Sequence, residues 1–451
     1  MNGDGPIPQV VTAEALHEQG LLAAREGRIE DAARLMERSI EAWPAKPYFF
    51  RNLCEIYRLL GRHDEALTAG LKAASGDPND ALAHSNLSVL RYERLEPTEA
   101  IASAERAIAL APELPGGHFG LAEASLLVGD LARGWREYEW RWRLAGVPPL
   151  TPGLDLPTWD GALLVNGRLL LVADQGFGDG LQFARFIPWA RERCGDLVIA
   201  ASREMQPLLA QVAPGVKLFD AWAEASGCVA VCPLSSLPGL AGVRLDTIPA
   251  PVPYLRPDPT RSVAWRARLD ELVAPGWPRV GLVWAGRPTH RNDRNRSVAL
   301  EALGAITGLD GVTLVSLQKG PAVAQVGGYF GRAPLINLGP ELADFEDTLA
   351  VIDSLDLVLT VDTAVGHLAG AAGKPVWVML PYAPDWRWLM ERTDSPWYPT
   401  MRLFRPSGPR DWKGVTAAVA AAMRETFNLD QSPSRDRKES FVGGWAELGA
   451  K

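Results

Sequence analysis

The chain has 451 residues, of which 47% are hydrophobic and 22% charged, with a formal net charge of -8. That length exceeds one ordinary core and fits two or three domains, and the hydrophobic share excludes a disordered bulk. The acidic balance lacks the basic excess that phosphate-backbone binding demands, so nucleic acid is not expected as a main partner.

The first residues, MNGDGPIPQVVTAEA, hold no basic segment followed by an apolar run, and no later stretch reaches the length of a membrane span. Neither secretion nor membrane insertion is expected. From residue 13 onward a period of 34 sets in: Ala32, Ala66 and Ala100 recur in register, as do Pro44, Pro78 and Pro112. This is the period of a tetratricopeptide helix pair, and it predicts pairs over 13–46, 47–80, 81–114 and 115–146. A small residue near the start of each second helix lets the pair approach closely, and the proline stops that helix. The fourth unit departs, with Gly134 in the alanine position followed by Trp135, Tyr138, Trp140 and Trp142. Those rings predict a last helix buried against the next domain, since a terminal repeat needs cover for its apolar face. A sugar-stacking role is the other reading of them.

Pro148, Pro149, Pro152, Gly153 and Pro157 form a stiff linker to Trp159 and Gly161. An apolar run over 168–173 then reads as a buried strand, followed by DQGFGDG, a helical pattern over 181–193 and a strand near 197–201. After a helical 261–273 segment, runs at 280–286, 312–318, 355–361 and 375–380 read as a second strand series with helices between. Strands alternating with helices mean parallel sheets, and two series mean two doubly wound lobes with the cleft between them as the default site. The expected organisation is a repeat array over 1–146, lobes over 147–258 and 259–430, and a polar tail over 431–451. Cys54, Cys194, Cys228 and Cys232 have no partner set to complete a zinc site and read as reduced thiols in a cytoplasm.

Four segments carry candidate chemistry. Gln175 to Gly180 turns from strand to helix, where glycines such as Gly178 allow close approach and a helix N-terminus accommodates Asp179. Asp179 reads equally as a first-turn helix cap. The turn matches neither the dinucleotide fingerprint, which would need glycine at Leu181, nor a Walker loop. The loop 287–297 holds Arg287, Arg291, Arg294 and Arg296 against Asp293 alone, and arginine forks suit phosphate oxygens, with Lys319 able to add to them. In VDTAVGHLAGAAGKP, Asp362 and Thr363 stand where they can cap the next helix, whose N-terminal amides suit a diphosphate. Thr363 and His367, four apart, share a helical face, although His367 reads also as an internal, satisfied group. The last segment, Pro381 to Trp388 with Asp394 to Tyr398, fits a base- or sugar-stacking loop and, more commonly, tryptophans packing a loop onto its own domain.

Together GFGDGLQFARFIP, NDRNRS, SLQKG, VDTAVGHLAGAAGKPVWVMLP and PDWRW...SPWYPTMRLFR resemble bacterial tetratricopeptide-fused glycosyltransferases whose catalytic half is similar to the lipopolysaccharide heptosyltransferases. The resemblance covers about residues 13–428. It implies an α-helical array followed by a GT-B fold of two Rossmann-like lobes, the acceptor held by the N-terminal lobe and the nucleotide sugar mainly by the C-terminal one. It implies no metal, and no Asp-x-Asp triplet occurs in the chain. By the same resemblance Asp179 matches the catalytic base, Arg296 the cationic donor-phosphate ligand, and Asp362, Thr363 and His367 the Asp-Thr/Ser-Gly-x-x-His turn. The chain departs at Gly180, where a larger residue is usual, and at Ala364, which replaces a glycine.

The expected function is inverting, metal-independent transfer of a sugar from a nucleotide-sugar donor to a Ser or Thr of a protein acceptor, flagellin among the candidates, held by the array. Gly178, Arg294, Arg296, Lys319, Asp362, Thr363 and His367 are the expected donor contacts, and no cofactor is expected. Two rivals stand beside it: a scaffold or chaperone with a non-catalytic α/β half, and an enzyme acting on a glycolipid or polysaccharide, with the repeats serving oligomerisation.

Overall fold

The computed structural model describes residues 8–249, 251–290 and 292–429; the tail expected at 431–451 and Arg291 lie outside the described residues. The chain groups into two compact units, Met1–Tyr254 with Tyr382–Pro399, and Leu255–Pro381 with Thr400–Lys451. Sequence order puts 382–399 in the second lobe, whereas packing groups it with the first unit. Its buried Trp386 and Trp397 are part of the reason.

The first unit opens with paired helices: α1 (Pro8–Arg25) with α2 (Ile29–Ala42), α3 (Pro47–Leu59) with α4 (His63–Gly76), α5 (Ala81–Glu93) with α6 (Pro97–Leu110), and α7 (Pro115–Leu127) with α8 (Leu131–Tyr138). Ala32, Ala66 and Ala100 are fully buried, as close helix approach requires. The second helices stop at Ala42, Gly76 and Leu110, two residues before Pro44, Pro78 and Pro112, because proline disfavours the α conformation in the residue it follows. Pro47 and Pro115 open α3 and α7, where a missing N–H has no helical partner to lose. Asp80 and Asp130 cap α5 and α8 by accepting first-turn amides. In the fourth pair a Cβ on Gly134 would lie 2.5 Å from the Leu126 side chain and 3.1 Å from the Leu126 amide nitrogen, so no alanine fits.

The same unit continues with β1 (Leu164–Val172), α9 (Phe177–Phe183), α10 (Ile187–Arg191), β2 (Cys194–Ala200), α11 (Gln206–Val212), β3 (Lys217–Phe219), β4 (Cys228–Pro233) and α12 (Leu237–Leu240). Its sheet runs β3-β2-β1-β4, with every pairing parallel. The sequence finds β1 and β2; β3 has three residues, too few for a period to register. The last helix of the array is buried as expected, through Trp135 and Tyr138.

The second unit holds α13 (Pro259–Leu272), β5 (Arg279–Val283), α14 (Asp293–Arg296), α15 (Gly304–Thr307), β6 (Thr313–Ser316), β7 (Leu335–Asn337), α16 (Phe345–Asp353), β8 (Leu357–Val361), α17 (Ala364–Ala371), β9 (Val376–Met379), β10 (Met401–Phe404) and α18 (Trp412–Phe427). Its parallel sheet runs β10-β9-β8-β5-β6-β7. Strands β6, β8 and β9 are buried along their whole length, as parallel strands covered on both faces must be. The architecture is thus a helical repeat array followed by an α/β region of two parallel sheets. Strand order reverses between β1 and β4 in the first sheet and between β5 and β8 in the second. Ligands of open α/β sheets bind outside the carboxyl ends of the strands at such reversals.

Candidate active site

In the first sheet β1 ends at Val172, and the turn that follows leads into α9, so Gly178 and Asp179 stand in its first turn beside the reversal between β1 and β4. Asp179 Oδ2 accepts the Gly176 amide at 3.1 Å, so the capping reading is realised. Its Oδ1 accepts Nη2 of Arg387 at 2.6 Å. The side chain stays 21% exposed.

Arg387, the partner of Asp179, is not among the site residues that the sequence points to. It lies 208 positions from Asp179. Its guanidinium is buried and fully engaged: Nε donates to Gln182 Oε1 at 2.7 Å, Nη1 meets Asp385 Oδ1 at 2.7 Å, and the group lies 4.5 Å over the Trp386 ring. The usable signal was an arginine between two tryptophans in a segment already singled out. Trp386, Trp388, Trp397 and Tyr398 are all buried, so this loop packs through its rings. Across the reversal, Asp174 accepts the Ser235 amide at 3.1 Å and the Ser235 hydroxyl, and burial pushes its carboxyl up from the ordinary value.

In the second sheet the ends of β5 and β6 are stapled by Gln318, which is buried. Its Oε1 accepts the amides of Trp284 at 3.0 Å and Ala285 at 2.9 Å, and its Nε2 donates to the carbonyls of Ala285 and Lys319. Beyond β5 a Cβ on Gly286 would lie 2.8 Å from Arg296 Nη2 and from Asp293 Oδ1, so glycine lets the guanidinium lie against the chain there. Ser297 Oγ accepts the Gly286 amide and donates to Asp293 Oδ1, bracing that turn. Arg296 Nε is buried and has no hydrogen-bond partner among the described residues; Asp293 Oδ1 is 3.6 Å away. Arg287 and Arg294 are exposed.

Lys319 departs from the expectation of a phosphate ligand. Its ammonium donates to the carbonyls of Gly339 at 2.9 Å and Leu342 at 2.7 Å, which ties the chain between β7 and α16 to the end of β6. After β8, Asp362 and His367 are buried. Thr363 occupies the N-cap position of α17 but makes no side-chain cap, contrary to expectation, because its hydroxyl pairs with that of Thr360 at 2.8 Å. Helix α17 needs a small residue at Gly366, where a Cβ would come within 3.1 Å of Thr360 Cγ2. The structure therefore places Arg296 at the end of α14, after β5, and Asp362 and Thr363 just before α17 with His367 within it, after β8, leaves Arg294 on the surface of α14, and gives Lys319 to backbone carbonyls.

Among the described residues no cluster of three or more His, Cys, Asp or Glu could hold a metal ion, and no helix is long and apolar enough to cross a membrane. The tetratricopeptide repeat family matches residues 17–81. Protein FlbA of Caulobacter vibrioides (strain ATCC 19089 / CIP 103742 / CB 15) is 28% identical over 390 residues, 77% of this chain; the chain spans 62% of that relative's length. Among solved structures, Pseudomonas aeruginosa pilF is 21% identical, with 32% of this chain and 65% of that one covered at a TM-score of 0.29. A crystal structure of MamA is 16% identical, with 29% and 77% covered at a TM-score of 0.27. The chain thus carries tetratricopeptide repeats, a module whose stacked helices typically bind protein partners, joined to a two-sheet α/β region.

Proposed function

We propose that this chain is an inverting, metal-independent glycosyltransferase that moves a sugar from a nucleotide sugar to a Ser or Thr hydroxyl of a protein gripped by the repeats, acting in the cytoplasm, with flagellin as the acceptor class that the sequence resemblance names. The observation that carries the reading is the coincidence of chemistry with topology. Asp179 stands beside the strand reversal of its own sheet, and Arg296, at the end of α14, with Asp362 and Thr363, just before α17, and His367, within it, stand in the segments that follow the two strands flanking the reversal of the other.

In this reading the acceptor oxygen attacks the anomeric carbon, its proton passes to Asp179, and the bond from that carbon to the phosphate oxygen breaks as the nucleotide leaves. Arg296 and the amides at the start of α17 meet the leaving phosphate charge. The reading is tested by thermal shift against UDP-, GDP-, ADP-, dTDP- and CMP-sugars, since a true donor raises the melting temperature by mass action. Intact-mass analysis of co-expressed acceptor proteins follows. A sugar-sized increment supports transfer to protein; transfer to a glycolipid instead would redirect the acceptor assignment.

One observation favours a second reading, a scaffold. Both Asp179 oxygens already serve the fold, one as a cap and one as the counter-ion of Arg387. A scaffold predicts partner binding indifferent to nucleotide and no transfer from any donor in the panel.

A further inference from the structure

Within the first unit, side chains of the helical array reach the loop that carries Arg387 and the turn that carries Asp179. Trp386 stands edge-on to Trp135 of α8, with centroids 5.1 Å apart at 88°, and close to Tyr138, 6.2 Å away. Trp135 also meets Phe183, the last residue of α9, edge-on at 6.5 Å. Tyr92 of α5 donates its hydroxyl to the Pro384 carbonyl at 3.0 Å. On the other side, Gln175 donates to the Tyr138 hydroxyl at 3.1 Å, and Arg141 donates to Ser235 and Ser236, the first of which binds Asp174. Edge-to-face ring pairs stabilise beyond the area they bury, so these contacts fix the loop rather than merely touch it.

The guanidinium that this loop presents has all of its nitrogens engaged, by Gln182, Asp385 and Asp179. A planar fork held in this way fixes carboxylate orientation, which a flexible ammonium does not. With Oδ1 held by Arg387 and Oδ2 by the Gly176 amide, the Asp179 carboxylate has one orientation. Geometry matters at this level, because a base must lie within hydrogen-bond reach of its proton and a displacement of about 1 Å costs on the order of 10²-fold in rate.

We propose that Arg387, presented by helices α5 and α8, is the positioning residue of the Asp179 carboxylate, so that the array acts in the transfer step as well as in capturing the acceptor. This rests on the reading of Asp179 as the base. The test uses the full chain and three variants, Arg387→Ala, Arg387→Lys and Tyr92→Phe, with Asp179→Asn as reference. Nucleotide release is measured without acceptor protein, from whichever UDP-, GDP-, ADP-, dTDP- or CMP-sugar stabilises the chain, so acceptor capture does not enter. Arg387→Ala is expected to lose ~10²-fold in kcat with the donor KM within about twofold, and to regain turnover with millimolar guanidinium chloride. Arg387→Lys is expected to fall between it and the parent, and Tyr92→Phe to lose severalfold. Hydrogen exchange over 174–183 should quicken in Tyr92→Phe, a readout that needs no donor and holds if Arg387→Ala does not fold. Parental kcat in Arg387→Ala or Tyr92→Phe alongside a dead Asp179→Asn, a change in KM alone, or unchanged exchange overturns the inference and leaves the base assignment standing. Parental turnover in Asp179→Asn instead removes the base assignment itself.

Discussion

In the first sheet the Asp179 carboxylate has both oxygens engaged, by the Gly176 amide and by Arg387, whereas in the second the buried Nε of Arg296 has no hydrogen-bond partner among the described residues. Each state suits a different task. A base benefits from a carboxylate held in one orientation with an open lone pair, and the energy of holding it is supplied by the fold. A phosphate ligand benefits from a donor left unsatisfied, since a buried N–H without a partner costs ~1–3 kcal/mol that an arriving anionic oxygen returns. The contrast also separates the cations of the second sheet. Lys319 is tied to two carbonyls, while Arg296 lies against Gly286 with part of its hydrogen-bonding capacity unused.

The contrast breaks most directly at Asp179. Asp179→Asn keeps the shape and the cap acceptor but cannot take a proton, so transfer should drop by ~10²–10⁴ while nucleotide binding, read by thermal shift, stays within a factor of about two. Turnover equal to the parent would make the acid a cap and a counter-ion only. On the other side Arg296→Ala should weaken nucleotide affinity by roughly ten- to hundredfold, the scale of one charge-assisted hydrogen bond, seen by calorimetry. Gly286→Ala sharpens the same point. Its Cβ would meet the far end of the Arg296 side chain at 2.8 Å, so the guanidinium must move, and affinity should fall with little change in the urea midpoint.

Two smaller effects probe the array as a support. Gly134→Ala restores the residue of the other repeats yet should destabilise the chain by about 1–3 kcal/mol, because Leu126 side-chain and backbone atoms occupy the space. Equal stability in urea unfolding would mean that the helices shift freely. His17 is buried against Phe49, accepts from Asn52, and is held down to a pKa of about 4 by burial and then by Arg51, against 6.5 for an open imidazole. The unfolded chain therefore binds a proton that the folded chain refuses. Stability should fall as pH drops from about 6.5 towards 4, and His17→Gln should flatten that part of the melting-temperature profile. An identical slope in parent and variant would assign the loss to other groups.

Much of the architecture was legible in the sequence. The alanine and proline period gave the helix pairs to within a few residues, since a 34-residue repeat states the same packing requirement several times over. The turns after β1, β5 and β8 were legible because glycines, acids and arginines there interrupt apolar runs. Strands β3 and β7, of three residues each, carried no period to read. Thr363 read as a helix cap because its position allows one, and only the Thr360 hydroxyl beside it decided otherwise. Lys319 read as a phosphate ligand because composition counts charges without showing where they are spent.

By itself the sequence determined the repeat array, the parallel strand series and the residue types offered at the strand ends, because these depend on local period, backbone freedom and spacing. Tertiary structure alone decided that Arg387 grips Asp179 across 208 positions, that Gln182 and Asp385 complete its coordination, and that array tryptophan and tyrosine side chains hold the loop in place. The physical reason is that a buried arginine is tolerated only where several acceptors converge on it, and convergence of distant segments is a property of packing that no local pattern encodes.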